Sequence, residues 1–105
     1  MPFDFNSSLY SAFPEMRAIV KDKFDYFGDE EPGSYLVFEQ ILVPAIQDVG
    51  TIDPIRLKEL MDFVESVARV DSNMVGICLG EVIQTLPNAQ QVREAAGPIT
   101  KRVIC

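Results

Sequence analysis

Residues 34–49, SYLVFEQILVPAIQDV, carry apolar side chains on almost every side of the helix they predict. Tyr35, Leu36, Val37, Phe38, Ile41, Leu42, Val43, Ala45, Ile46 and Val49 are interrupted only by Glu39, Gln40, Gln47 and Asp48 among the bulky positions. A helix apolar all round is buried by neighbours. This one is too short and too interrupted to cross a bilayer, which takes about 20 apolar residues. It therefore predicts a central helix with others packed around it. Pro44 lies inside it and leaves the carbonyl of Gln40 without its N–H partner, which predicts either a kink or a break into two helices.

The flanking pattern is helical throughout. Asn6 or Ser7 is placed to cap a short helix over 8–13. Pro14 suits the first turn of the next, 14–27, where a missing N–H is harmless. Met16, Ile19, Val20, Phe24 and Phe27 make its core face, and Gly28 ends it. Asp53 and Pro54 read as cap and first residue of a helix over 54–69 that buries Leu57, Leu60, Met61, Val64, Val67 and Ala68. Lys58, Asp62, Glu65 and Arg69 line its other face at intervals that pair opposite charges, a stripe expected to be solvated. Asp71 or Ser72 caps the next helix, which runs to Leu86. Gly76 and Gly80, one turn apart in it, predict a closely packed neighbouring backbone. Asn88 is placed to cap a short helix to Ala96, and 99–104 adds a last turn after Gly97-Pro98. No period-two run suggests a strand. The expectation is one all-α domain over 1–105, an irregular helical bundle or a short α-solenoid of helix pairs around a central apolar helix.

Composition narrows the function classes. With 48% hydrophobic residues the chain can bury a core without disulfides or metal. The net charge is −7 and the pI about 4.4, which argues against binding nucleic acid or an anionic membrane. An acidic surface favours solubility, and it also steers a basic partner towards itself. There is no histidine, so the usual general base, zinc ligand and Ser-His or Cys-His pair are missing. Cys78 sits in an apolar run and Cys105 is the last residue; they form no disulfide framework. The opening MPFDFNSSLY shows no secretory pattern, so a reducing cytoplasm is expected. No catalytic, cofactor or metal site is expected.

The carboxylates are the one concentrated polar feature. Asp22, Asp25, Asp29, Glu30 and Glu31 lie within ten residues, diluted by Lys23 and flanked by Tyr26 and Tyr35. Their spacing does not fit an EF-hand loop, and an exposed acidic loop is a poor place for paired catalytic carboxylates. Plain solvation and a protein-binding patch remain the two readings. Glu81, set in GICLGEVIQTL, is expected to be buried and paired with an Arg or a Tyr hydroxyl.

Several stretches together resemble a known group. They are Phe13-Pro14-Glu15-Met16, the acidic turn before Tyr35-Leu36-Val37-Phe38, Leu60-Met61-Asp62-Phe63-Val64-Glu65, and Asp71 with Val75 and Glu81. Over roughly 8–86 the chain resembles small acidic helical bacterial proteins that occur beside polymorphic toxins. It also looks like immunity proteins of contact-dependent growth inhibition systems, particularly those that neutralise ribonucleases. The resemblance implies a protein, monomeric or weakly oligomeric, that occludes the basic cleft of a cognate toxin domain. Asp22, Asp25, Asp29, Glu30, Glu31 and Glu39 would form the acidic side, with Tyr26 as an anchor and Asp62 and Glu65 as further contacts. A helical adaptor with another partner is the competing expectation, and a small enzyme a distant third.

Overall fold

A computed structural model describes residues 4–24, 32–49 and 53–104. The predicted contributions of Asp25, Tyr26, Phe27, Gly28, Asp29, Glu30, Glu31, Gly50 and Cys105 lie outside them.

Helix α1 (Phe5–Ala12) is capped by Asp4, whose side chain accepts from the Ser7 N–H at 3.3 Å and the Ser7 hydroxyl at 3.0 Å. The expected cap, Asn6, is instead buried and donates to the Pro32 carbonyl at 2.9 Å. The helix therefore starts three residues earlier than predicted. Helix α2 (Glu15–Lys23) buries Met16 and Val20, but Ile19 is 50% exposed, against expectation.

The apolar stretch forms one continuous run made of α3 (Ser34–Val37), a π-helical turn (Phe38–Leu42) and α4 (Val43–Val49). Pro44 does not break the helix. The Val43 N–H reaches back to the Phe38 carbonyl, five residues away, so the helix widens by one residue just before the proline. The carbonyl of Gln40 that Pro44 cannot serve accepts from Lys23 Nζ at 3.3 Å. Val37, Phe38, Ile41, Leu42, Val43 and Ile46 are buried, while Tyr35, Glu39, Gln40, Gln47 and Asp48 are exposed.

Helix α5 (Pro54–Val70) shares the centre. Asp53 caps it through the Arg56 N–H at 3.0 Å, as predicted. It packs on α1, α4, α6 (Ser72–Val75), α7 (Ala89–Ala95) and α8 (Pro98–Ile104). Because helices from both ends of the chain meet on α5, this is a bundle. In a solenoid each repeat touches only its neighbours. An aromatic cluster ties α1, the π turn and α5 together: Phe5 stacks on Phe38 at 5.3 Å, and Phe63 meets both Phe5 and Phe13 at 5.8 Å. The radius of gyration, 13.1 Å, suits a compact chain of this length. Among the described residues there is no strand, and no helix is long and apolar enough to cross a membrane.

The long helix predicted after Asp71 is interrupted. Asp71 caps α6 through Met74 N–H at 3.1 Å, a second π-helical turn spans Gly76–Gly80, and a bend leads to a 3₁₀ turn at Ile83–Thr85. The glycines do mark a close approach. A Cβ at Gly80 would lie 2.8 Å from the Val103 carbonyl oxygen, whereas one at Gly76 would meet Val103 at an ordinary 3.8 Å. Asn88 precedes α7 without capping it; its side chain is buried and its Nδ2 donates to the Ile46 carbonyl at 3.0 Å.

Candidate interaction surface

The charged side chains divide by what they are engaged in. Five of the nine cations are engaged by the fold, Arg69 with Glu65 among them, while Lys21, Arg93, Lys101 and Arg102 make no such contact among the described residues. Arg56 pairs with Glu15 and lies over the Phe13 ring at 4.6 Å. Lys58 pairs with Asp62 at 2.6 Å, Arg17 lies over Tyr10 at 5.7 Å, and Lys23 holds the Gln40 carbonyl. The carboxylates are less evenly matched. Asp22 on α2 and Glu39 on the first π turn are both exposed, on two elements that pack together. Among the described residues neither comes within salt-bridge distance of a Lys or Arg. All four acidic residues of 25–31 are in addition to these, and all nine Lys and Arg lie in the described segments.

Two candidates leave the predicted patch. Asp62 is exposed but neutralised by Lys58. Glu65, expected on a solvated stripe, is buried and 6% exposed. Its Oε1 accepts from the Thr100 N–H and hydroxyl, both at 2.9 Å, and its Oε2 accepts from the Ile99 N–H at 3.3 Å, with Arg69 Nε at 4.0 Å. It caps α8 from another helix. Burial pushes its pKa up, but the donors of Thr100 and Ile99 and the charge of Arg69 outweigh burial and hold it below 4.5. Gly97 makes room for this: a Cβ there would sit 2.5 Å from the Glu65 carboxyl carbon.

Glu81 is corrected in the other direction. It is exposed, not buried. It ends a seam that sequence reading missed, where the two π turns pack on each other. The buried thiol of Cys78 lies in this seam, 3.9 Å from the Tyr35 carbonyl. Burial and the nearby carboxylates of Glu39, Asp71 and Glu81 push the thiol up to about 12, so it stays protonated and inert. Tyr35 and Ile77, each 38% exposed, flank the seam. One signal for it was in the sequence: with Gly76 and Gly80 turned to a packed neighbour, Ile77 and Glu81 must share a different face.

Two concavities among the described residues lie elsewhere. An open groove of about 510 Å³ runs between α1 and α5, lined by Ser7, Ser8, Ser11, Ala12, Phe63 and Ser66. Tyr10, Pro14 and Arg17 line its extension of about 400 Å³. Neither holds a carboxylate, and the hydroxyls of Ser7 and Ser66 are bonded to Asp4 and to the Phe63 carbonyl. No group of three potential metal ligands occurs among the described residues. Comparison with family models, with curated proteins and with solved structures finds no match.

Proposed function

We propose that the chain is a cytoplasmic immunity protein that neutralises a cognate toxin domain, a ribonuclease by preference, by covering its basic cleft with an acidic surface. One observation carries the reading. The fold occupies Arg17, Lys23, Arg56 and Lys58 in internal contacts and leaves Asp22 and Glu39 uncompensated on adjoining elements. A nuclease must bind a polyanion, so its cleft is cationic. A rigid acidic scaffold competes for that cleft, and complementary fields speed the encounter. No reaction by this chain is required.

The test is binding to the toxin domain encoded beside this chain, in about 50 mM salt, with RNA cleavage as the second readout. Tight binding with loss of cleavage supports the reading. Absence of binding at low salt overturns it. Ile55, 76% exposed, and Val70, 60% exposed, favour a second reading, a helical adaptor docking through apolar contacts. That adaptor would bind its partner with little dependence on salt.

A further inference from the structure

Two neighbouring elements present the same pair of groups one helical turn apart. On the first, exposed Tyr35 precedes exposed Glu39; on the second, exposed Ile77 precedes exposed Glu81. Residues four apart share a helix face, so each apolar side chain stands beside a carboxylate. The two elements meet through their π turns, Phe38–Leu42 and Gly76–Gly80. Such turns recur where a helix re-aims side chains for function. The floor is rigid: Phe38, Leu42, Cys78 and Leu79 are fully buried beneath. We propose that this seam, with Tyr35 and Ile77 as apolar anchors and Glu39 and Glu81 as charged contacts, docks a cationic amphipathic segment of a partner protein.

Charge complementarity selects that occupant. Glu39, Asp71 and Glu81 all act on the buried Cys78 thiol, and each raises its pKa, so the local potential is negative. The cations on adjoining elements are Lys23, whose ammonium is held by the Gln40 carbonyl, and Lys101 and Arg102 on α8, none of which is among the groups acting on the thiol. An aromatic and an aliphatic anchor over a packed floor, edged by charge, is the composition of an interface centre. Because the floor is already ordered, little freedom is lost on docking. The inference deepens the immunity reading, since it names the face and the chemistry of the segment that the toxin would present.

The experiment titrates a synthetic helical peptide, with lysines alternating with leucine and tryptophan at helical spacing, into the ¹⁵N-labelled protein. Amide shifts confined to residues 35–39 and 76–81 are expected. The double substitution Glu39→Lys and Glu81→Lys should weaken binding by about tenfold or more, and Tyr35→Ala with Ile77→Ala by a similar factor. The charge-matched control Glu59→Lys with Glu94→Lys, both exposed elsewhere, should change it less than about twofold. Should Tyr35→Ala disturb folding, Glu81→Lys alone carries the test. Shifts centred on Asp22 or Asp62, equal weakening by the control pair, or no binding in 50 mM salt would each overturn the proposal. Self-association through the same residues without peptide would assign the seam to a second copy and also overturn it. If the neighbouring toxin fails to bind while the peptide maps here, the immunity reading falls and the seam stands. If the toxin binds and the Glu39, Glu81 variant leaves its affinity unchanged, the seam falls and the immunity reading stands.

Discussion

Replacing Glu65 by alanine leaves the N–H groups of Ile99 and Thr100 and the Thr100 hydroxyl without their acceptor. Each stranded buried donor costs about 1–3 kcal/mol, so the α8 end of the bundle should loosen first, read as lost amide protection over 98–104. Gly97→Ala acts on the same feature, because its Cβ would displace the carboxylate it faces. The two substitutions should therefore be non-additive in a double-mutant cycle: Gly97→Ala destabilises the parent protein and does little once Glu65 is alanine. Additive losses would show that Gly97 serves something else. Acid gives a second readout. The folded Glu65 carboxyl is held below its unfolded value of 4.5, so its contribution is fully present above that value. It is lost as pH falls through the lower folded value. The parent protein should outlast Glu65→Gln in thermal melts at pH 6 to 7, and the gap should narrow below about pH 4.5.

At the scale of elements, the two glycines in 76–80 make opposite predictions. Gly80→Ala drives a Cβ to 2.8 Å from a backbone oxygen that cannot move without shifting α8. It should destabilise by about 1–3 kcal/mol in denaturant melts. Gly76→Ala finds ordinary contact at 3.8 Å and should be neutral or stabilising by up to about 1 kcal/mol, through helix propensity. Equal effects would mean that the close approach is not what selects glycine. This contrast shows what was legible in the sequence. The one-turn spacing announced a packed backbone, yet nothing local told which glycine carried it, since that depends on Val103. Pro44 is similar. The orphaned Gln40 carbonyl follows from proline chemistry alone, but its rescue by Lys23 depends on how α2 crosses the π turn. Caps set by neighbouring residues, Asp53 and Asp71, were readable. Glu65, Asn6 and Asn88 were misread because their partners lie 26 to 42 residues away.

At the scale of the whole molecule, a charge of −7 both speeds encounter with a basic partner and strains the folded state by self-repulsion. These effects separate experimentally. The described ion pairs Glu15–Arg56 and Lys58–Asp62 are at least partly exposed, and such pairs contribute about 0–1 kcal/mol each. Asp29, Glu30 and Glu31 add three like charges in succession. Reversing them to lysine relieves repulsion overall, so the melting temperature should hold or rise slightly. The same change removes the steering field. Association with the cognate toxin should slow by about tenfold or more near 50 mM salt. The difference should shrink towards 0.5 M, where the screening length falls to about 4 Å. Stopped-flow association against salt, with melts of the same variants, reads both quantities. A rate that ignores the reversal at low salt would remove this stretch from the encounter surface and leave the exposed carboxylates of the helical body, Asp22, Glu39 and Glu81, as the source of the field.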